Sequence, residues 1–445
     1  MGAPWVVVGA GSAGCVAAAR LSEDPHREVV LLEAGPDLVE GEVPAVIDGS
    51  NFLDALTERD RTYPDLVARR AAGSGETPYR RGRGVGGSSV VNAMLALRGD
   101  GAQYGSWGWD DVDAAWRKMA LPEELASLDE LGPVDRALLT SAPDARPARL
   151  TRRAGRRVTS AEAYLWPAAA RPNLVVRSGV TVARIVFDGR SAVGIESVEG
   201  EQIAVDRVVM AAGALHTPAV LLRSGVETLG VGDGLQDHPS ASLTLELRAG
   251  VAADLHGLVI GSLCEREGIQ FLPMNHLGAA APGYGLLAVA LMAPRGRSGT
   301  VRLADGDPRS DPLVDFALLT DDHDVTTLAS AVDQARALLA APAFREIVEE
   351  VYIDAHGTTA DALADGEAVR SWLRSTVGDY VHASSSCAMG TVVESDGRLR
   401  GYEGVYLCDA SVFPSIPNVN THLPTTMLAE RLCTRWRAAA AEAGS

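Results

Sequence analysis

The chain has 445 residues, a formal net charge of −18 and 47% hydrophobic residues, so it can bury a large core and has a globular composition. The acidic excess argues against nucleic acid and anionic membrane surfaces as primary partners. No apolar run is long enough to predict a membrane span, and the first apolar segment opens into a glycine turn rather than a secretory signal. The five cysteines lack paired metal-ligand spacing, which predicts a reduced, cytoplasmic protein without a metal site.

The first predicted element is a buried strand at residues 5–8, followed at once by Gly9-Ala-Gly11-Ser-Ala-Gly14 and a small-residue helix at residues 15–22. Residues 28–32 predict the next strand, which ends at Glu33. In this context the glycines permit a tight turn, approach of the backbone to a pyrophosphate and close helix packing. The helix N-terminus favours phosphates, and Glu33 is placed to accept hydrogen bonds from a ribose diol. The pattern predicts a dinucleotide site but does not by itself separate FAD from NAD.

A second glycine-rich segment covers residues 79–94 and contains Gly86-Gly87-Ser88-Ser89, with Asn92 after it. Paired glycines allow unusual backbone dihedrals or the close approach of a flat group. Ser88 and Asn92 add polar contacts at the start of a turn or helix. Taken alone, the segment also fits a structural loop with a serine cap.

The remaining elements are predicted from apolar spacing. Residues 121–153 are rich in Pro, Ala and Arg and predict a loop or mobile surface. Apolar runs predict strands at residues 174–176, 181–187, 192–198 and 206–211. Helical spacing predicts an amphipathic helix over 321–341 and a second helix over 368–375.

Two histidines lie in unusual segments near the end of the chain. His382 begins His-Ala-Ser-Ser-Ser-Cys387, and His422 ends Asn-Val-Asn420-Thr421-His422. Imidazole is the side chain best suited to move a proton near neutral pH, so the pair predicts a base and its helper. A metal site built on the pair is the alternative, but no third ligand lies at a recognisable interval.

These segments, in this order, resemble the glucose-methanol-choline (GMC) family of flavoprotein oxidoreductases. Residues 81–94 are similar to the first family signature, residues 213–225 to the second, and residues 234–239 to the turn that follows it. The two histidine segments match the C-terminal half-sites of the family. The resemblance therefore covers most of the chain.

The resemblance implies an α/β fold in which a Rossmann-like FAD-binding domain is discontinuous along the chain. It comprises residues 1–100, 172–239 and 379–445. The second domain is an α+β substrate-binding domain on an antiparallel sheet, formed by residues 101–171 and 240–378.

FAD is the implied cofactor. The residues implied to bind it are Gly9, Gly11, Ser12, Gly14, Glu33, Ala34, Arg83, Gly87, Ser88, Asn92, Ala93, Met94, Val182, Asp409, Ala410, Asn420, Thr421 and His422. Some members attach FAD covalently through a histidine just before the signature asparagine. That position is Val91 here, which predicts non-covalent FAD. A helix predicted to start near Asn420 would stabilise the anion of the reduced ring.

The resemblance implies oxidation of an alcohol to a carbonyl, in which His382 takes the hydroxyl proton and flavin N5 takes the hydride. His422 is assigned a hydrogen bond that orients the substrate oxygen, although the two roles could be exchanged. Choline dehydrogenase-like members set the general pattern. Residues 418–431 and the short chain resemble members associated with the mycofactocin system, which adds a reduced carrier to the candidate substrates. The electron acceptor stays open between oxygen, a quinone and another carrier.

The alternative is a lyase that cleaves cyanohydrins on the same fold and keeps FAD as a structural element. A flavin-binding module without catalysis is disfavoured because both histidine positions are filled. Ser385-Ser386 departs from the Gly-Thr that the family usually carries before Cys387.

The other histidines have weaker predictions. His238, in an Asp-His-Pro turn, is predicted to be structural. His256 and His276 are candidates for the substrate pocket. Solvated or capping roles are predicted for His26, His216, His323 and His356.

Overall fold

The structure is a computed structural model that describes residues 3–251 and 254–443. One sheet is parallel, and the first predicted strand, Trp5–Val8, is its central strand. Its strands, in spatial order, are Leu174–Arg177, Val29–Leu32, Trp5–Val8, Arg207–Met210 and Val405–Leu407. The apolar Val-Val-Val run of Trp5–Val8 is buried, as a strand with neighbours on both sides requires.

Helix Ser12–Leu21 follows the central strand and packs against the C-terminal helix His422–Ala443. It begins at Ser12 rather than at residue 15, because the glycine turn leads directly into helical backbone. Its Ala, Gly and Cys residues are buried, and their small size lets the helix lie close to the sheet. The Rossmann-like part of the predicted fold is confirmed.

A second sheet is antiparallel and forms the other core of the molecule. Its strands are Val348–Tyr352, Ser240–Leu247, Tyr284–Leu291, Ile269–Met274, Ser262–Arg266 and Ala145–Pro147. Helix Asp322–Leu339 packs on this sheet, close to its predicted bounds, and the helix predicted over 368–375 is Gly366–Thr376.

A third sheet joins strands from both predicted domains. Val67–Arg69 and Glu76–Pro78 pair in one sheet with Leu313–Asp315, Gly299–Arg302 and Asp233–Leu235. The domain boundaries drawn from the sequence stay a prediction, and the sheet links the two parts next to the site.

The prediction of a loop over residues 121–153 is wrong. Helix Pro133–Ser141 lies within it, and Pro133 occupies the first turn, where its fixed φ suits a helix. The Asp135 carboxylate accepts a hydrogen bond from the Gly132 N–H at 3.2 Å and so caps the helix. Ala145–Pro147 then adds an edge strand to the antiparallel sheet. Pro, Ala and Arg content misled the prediction because tertiary partners stabilise these short elements.

The other elements are short or peripheral. The strands are Val182–Asp188, Ser191–Ser197, Gln202–Ala204, Glu124–Leu125, Arg149–Leu150, Arg152–Arg153 and Arg156–Arg157. The α-helices are Ala45–Asp48, Phe52–Ala55, Gly101–Ser106, Val112–Lys118, Trp166–Ala168, Gly213–Arg223 and Pro342–Ile347. The 3-10 turns are Arg59–Arg61, Gly87–Val90, Ala360–Ala362 and Ala410–Val412. One further turn, Ala161–Leu165, is a π-helix. In the described parts of the chain, no helix has both the length and the apolar character that a membrane span needs.

Candidate active site

A cavity of about 890 Å³ runs from the carboxyl ends of the parallel strands to the antiparallel sheet. It is lined by both catalytic candidates and by every predicted cofactor-binding residue except Gly14. The predicted residues that line it are Gly9, Gly11, Ser12, Glu33, Ala34, Arg83, Gly87, Ser88, Asn92, Ala93, Met94, Val182, His382, Asp409, Ala410, Asn420, Thr421 and His422. Segments far apart in the sequence thus meet at one site.

The glycine turn has the geometry that a bound dinucleotide requires. Gly9 has φ +98°, a conformation that favours glycine. A Cβ on Gly11 would meet no atom within 4 Å and would project into open space. A Cβ on Gly14 would lie 1.8 Å from the Gly9 carbonyl oxygen, so Gly14 serves the packing of helix on turn and not the cavity wall.

Glu33 is held rigidly at the end of its strand. Its carboxylate accepts hydrogen bonds from the backbone N–H groups of Ala10 at 2.8 Å, and of Gly35 and Gly84 at 2.9 Å each. Glu33 is only 6% exposed, yet it borders the cavity. Glu33 therefore ties the two glycine-rich segments together in addition to facing the site.

Asp409 follows the edge strand Val405–Leu407 and is also fully engaged. One carboxylate oxygen accepts from the Gly213 N–H at 2.9 Å and from the Thr217 hydroxyl at 2.5 Å, and the other accepts from the Ser411 N–H at 2.8 Å. Burial raises the pKa of Asp409 above its ordinary value. Its polar contacts join the second signature segment, residues 213–225, to the C-terminal segment at the cavity wall.

Hydrogen bonds assign the proton positions on His382. The Nε2 atom of His238 lies 2.9 Å from the carbonyl oxygen of Pro417, which can only accept, so this nitrogen carries the hydrogen. Burial lowers the pKa of His238 to about 4, which keeps the ring neutral and leaves its Nδ1 as an acceptor. The Nδ1 atom of His382 lies 2.9 Å from it and must therefore donate. The remaining nitrogen of His382, Nε2, then carries no hydrogen and can only accept.

His382 Nε2 accepts a long hydrogen bond from Asn420, whose amide orientation is also set. The Asn420 amide nitrogen lies 3.4 Å from His382 Nε2, and its Oδ1 accepts from the Gln270 amide at 3.1 Å. Gln270 belongs to strand Ile269–Met274 and is fully buried. Hydrogen bonds therefore connect Gln270 of the antiparallel sheet to the proposed base, His382, through the side chain of Asn420.

The backbone of His382 is held in place by the carboxylate of Asp237. The Asp237 carboxylate accepts from the His382 N–H at 2.9 Å and from the Tyr79 hydroxyl at 2.7 Å. Burial and nearby Asp379 raise the pKa of Asp237, while these donors favour its charged form. Asp237, His238 and His382 place three ligand-type atoms within 4.8 Å of one another. The hydrogen bonds above already use these atoms, so the cluster is explained without an ion.

His422 differs from His382 in having one free nitrogen within the described structure. Its Nδ1 lies 3.1 Å from the Ser12 hydroxyl, whereas its buried Nε2 has no partner among the described residues. Burial, with a smaller effect of Arg157, lowers the pKa of His422 to about 4. A neutral ring at the first residue of the C-terminal helix is thus available to contact a ligand.

Comparison with known proteins identifies the family. The GMC oxidoreductase family models match residues 4–125 and 146–240 with their N-terminal part and residues 294–429 with their C-terminal part. The chain belongs to the GMC oxidoreductase family. It is 30% identical to an uncharacterised GMC-type oxidoreductase from Rhodococcus erythropolis, over 96% of this chain and 97% of that protein. It is also 30% identical, with the same coverage, to 5-(hydroxymethyl)furfural oxidase from Methylovorus sp.. Pyridoxine 4-oxidase from Mesorbium loti has the same fold, with a TM-score of 0.88, 24% identity and coverage of 98% of this chain and 99% of that one.

The cofactor of this GMC oxidoreductase is FAD, and the cavity fits it. The open space above Gly11 suits a pyrophosphate, because the nearby helix N-terminus and bare backbone favour phosphate oxygens. The position that would carry a covalent attachment is Val91, which lines the cavity and has no nucleophilic atom. When bound, FAD would accept one hydride equivalent, which is two electrons with one proton.

Three non-glycine residues around the site have left-handed backbone. Met94 has φ 60°, Val381 has φ 55° and Ser385 has φ 70°. Such conformations cost of order 1–3 kcal/mol each and persist where the surroundings impose them. The Val381 carbonyl accepts from the Arg81 guanidinium, and its N–H donates to Asp379 at 3.0 Å. Ser385 stands at the position where the family usually has glycine, and its φ gives the reason for that preference.

Sequence reasoning missed several cavity residues in this GMC oxidoreductase. His216, predicted to be solvated or capping, instead lines the cavity and stacks on Tyr63 with ring centroids 4.4 Å apart, so this prediction is wrong. His238 goes beyond a purely structural role because its ring touches that of His382. His256 and His276 do not line the cavity, and His26, His323 and His356 are exposed.

The apolar wall of the cavity was also not found from the sequence. It consists of Phe52, Leu95, Ile260, Leu272, Met274 and Ala288. Phe52 begins the short helix Phe52–Ala55, Leu95 directly follows the first signature, and Ile260 precedes strand Ser262–Arg266. Leu272, Met274 and Ala288 belong to strands of the antiparallel sheet. Strand periodicity could have indicated which side chains of Ile269–Met274 share a face, but not that this face meets the cofactor.

Proposed function

We propose that this protein oxidises an uncharged alcohol with an apolar carbon skeleton to the corresponding carbonyl compound. The observation that carries the proposal is the unprotonated Nε2 of His382, which has only a long 3.4 Å contact with the Asn420 amide nitrogen and lies in a cavity lined by the residues predicted to bind FAD. Oxidation removes a proton from the hydroxyl group and a hydride equivalent from the same carbon. A neutral imidazole with an unprotonated nitrogen takes the proton, and FAD, when bound, would accept the hydride equivalent.

His382 is the proposed base, and His422 with Asn420 orients the substrate oxygen. The contacts for that oxygen come from the Asn420 amide nitrogen and from His422 Nε2, which has no partner among the described residues. When His382 becomes charged, its Nδ1–H donates more strongly to His238, which stabilises the charged ring where water is excluded.

The apolar wall supports the substrate class. Ile260 is 5% exposed, Leu272 6% and Ala288 7%, and they share one hydrophobic cluster with Tyr380. The Tyr380 ring meets the His382 ring edge-on, with centroids 5.2 Å apart, so this wall adjoins the proposed base. The six wall residues carry no charge, and a sugar or a quaternary ammonium group would lose hydration there without a matching partner.

A compact aromatic alcohol suits the wall best. The buried Tyr380 hydroxyl has no hydrogen-bond partner among the described residues and can serve a polar ring substituent. The relative that is named 5-(hydroxymethyl)furfural oxidase is consistent with an alcohol on an aromatic ring.

Anaerobic mixing with a panel of alcohols tests the proposal. Aromatic and short aliphatic primary alcohols are expected to bleach the FAD absorbance, whereas choline and sugars are not. His382→Gln should slow bleaching by about two to four orders of magnitude with FAD content retained. His323→Gln, at an exposed site, is the control. Absence of bleaching with every alcohol, accompanied by cleavage of a cyanohydrin, would favour the non-redox lyase instead.

The electron acceptor and any carrier substrate need a separate measurement. We propose, from the resemblance to short members associated with the mycofactocin system, that a reduced peptide-derived carrier is a further candidate substrate. Reoxidation of the reduced protein by air, by a quinone and by an artificial dye distinguishes an oxidase from a dehydrogenase. Rapid reoxidation by air would argue against a dedicated carrier.

A further inference from the structure

Arg157 is a buried cation next to the cofactor cavity, and the reaction proposed above does not use it. It is 1% exposed. Its Nη1 donates to the Asn92 carbonyl at 2.7 Å and to the Asn92 side-chain oxygen at 2.8 Å, and its Nε donates to the Ile47 carbonyl at 3.1 Å. Its buried Nη2 has no partner within the described residues.

No counter-charge accompanies this guanidinium. Among the described residues, no carboxylate oxygen lies within 4.0 Å of it, the limit for an ion pair. Arg152 is equally buried, at 1% exposed, but binds Glu130 through two hydrogen bonds of 2.8 and 2.7 Å. An unpaired buried charge is costly, so proteins retain one where a partner arrives with a ligand.

The position of Arg157 indicates which ligand that is. Asn92 separates it from the cavity and uses its side-chain oxygen to accept from Arg157 and from the Met94 N–H at 3.1 Å. The amide nitrogen of Asn92 is consequently left to face the cavity. Arg157 is also close enough to His422 to lower the pKa of that ring.

Other cations near the cavity are less suited to this role. Arg81 and Arg83 line the cavity but are partly exposed, so water screens their charge. Burial lowers the pKa of Arg157 only to about 9, which keeps it charged at neutral pH. Burial keeps His382 and His422 neutral, so neither supplies a positive charge before proton transfer.

We infer that Arg157 is an electrostatic positioning residue that stabilises the anionic, two-electron-reduced form of FAD and raises the reduction potential of the bound cofactor. Its charge acts through Asn92, because the guanidinium holds the amide oxygen and directs the amide N–H group at the ring. The inference rests on FAD binding and not on the identity of the alcohol. The potential is measured without substrate, so the substrate proposal can fail independently.

The test is the midpoint potential of bound FAD in the holoenzyme and in three variants. Arg157→Gln is expected to disfavour reduced FAD by at least about tenfold, which for a two-electron couple corresponds to about 30 mV. Arg157→Lys keeps the charge and should retain more of the potential than Arg157→Gln at neutral pH. Arg152→Gln, the matched buried arginine with its own carboxylate partner, should leave the potential unchanged.

A parent-like potential in Arg157→Gln would overturn the inference, as would equal losses in the Gln and Lys variants, which a purely structural role predicts. If Arg157→Gln fails to fold, the midpoint potential of FAD bound to the parent protein still tests the inference. The reduced cofactor should bind more tightly than the oxidised one, so the potential of bound FAD should exceed that of free FAD. A lower potential than that of free FAD would contradict the inference.

Discussion

His382 is suited to accept a proton because two distant groups determine which of its nitrogens carries hydrogen. The Pro417 carbonyl requires a hydrogen on His238 Nε2, and His238 then requires one on His382 Nδ1. A histidine on a solvated surface would interconvert between tautomers, whereas this network holds one of them. The unprotonated nitrogen, Nε2, therefore faces Asn420 at the cavity.

The pH dependence of FAD reduction follows from the same environment. Burial, with smaller effects of His238 and Arg81, lowers the pKa of His382 well below its ordinary value of 6.5. The neutral form is the base, and it is lost only when the pH falls below this lowered pKa. The rate of anaerobic FAD reduction by substrate should therefore stay constant between about pH 8 and pH 6.5 and decline only at lower pH. A decline centred at pH 6.5 or above would show that burial does not control the base.

Replacement of His238 should disrupt the proton assignment without touching substrate. His238→Leu removes the acceptor for His382 Nδ1 and should slow FAD reduction by about one to two orders of magnitude, as loss of an orienting partner commonly does. His238→Gln keeps an acceptor oxygen and should recover part of the rate. Stopped-flow reduction measures both, with FAD content as the control for folding. Equal rates in His238→Leu and the parent would refute the assigned tautomer.

Ser385 offers a stability prediction at the residue scale. Its φ of 70° is strained for a residue with a side chain, and its buried hydroxyl has no partner among the described residues. Ser385→Gly removes both penalties and should raise the free energy of unfolding by about 1 kcal/mol, measured by urea titration of the apoprotein. Ser384→Gly is the control: it loses a hydroxyl that donates to the His382 carbonyl at 2.8 Å and should not stabilise. A loss of stability in Ser385→Gly would contradict the strain argument.

At the scale of elements, the turn from strand Trp5–Val8 into helix Ser12–Leu21 separates cofactor binding from packing. Gly14→Ala places a Cβ 1.8 Å from the Gly9 carbonyl and should destabilise even the apoprotein, by about 1–3 kcal/mol. Gly11→Ala keeps an allowed backbone, with φ −77°, and meets no atom of the chain. It should leave apoprotein stability within about 0.5 kcal/mol while weakening FAD binding.

Urea unfolding of the apoproteins and titration with FAD measure these two effects separately. Gly101→Ala is the control, because a Cβ there meets nothing within 4 Å and lies away from the cavity. Equal destabilisation of the apoprotein by Gly11→Ala and Gly14→Ala would show that the two glycines have the same role.

Elements with a strong local pattern were predictable, and elements stabilised by distant contacts were not. Helix Asp322–Leu339 has apolar residues at helical spacing and a capping Asp321 whose side chain accepts from the His323 N–H. By contrast, Arg152 in the predicted loop is buried together with two carboxylate partners, Glu130 and Glu124. Local composition cannot reveal such a partner.

At the scale of the whole molecule, FAD joins segments from both ends of the chain, so its binding should stabilise the fold. We expect acid precipitation to leave the yellow colour in the supernatant, because Val91 offers no group for covalent attachment. At a free concentration of 100 times Kd, FAD should add about 2.7 kcal/mol to the free energy of unfolding of the apoprotein. Thermal unfolding with increasing FAD measures the gain. A yellow pellet would contradict non-covalent binding.

The chain by itself determined the family, the cofactor class and about a third of the residues that line the cavity. Glycine turns, a strand-end carboxylate and two histidine segments each have a chemistry that depends on residue type and short spacing. Tertiary structure decided what depends on partners far along the chain. His238 lies 144 positions from His382, and Gln270 lies 150 positions from Asn420. The direction of the proton, the apolar wall and the unpaired charge of Arg157 arise from such contacts, because hydrogen-bond donors, acceptors and counter-charges are matched only when the folded chain brings them within reach.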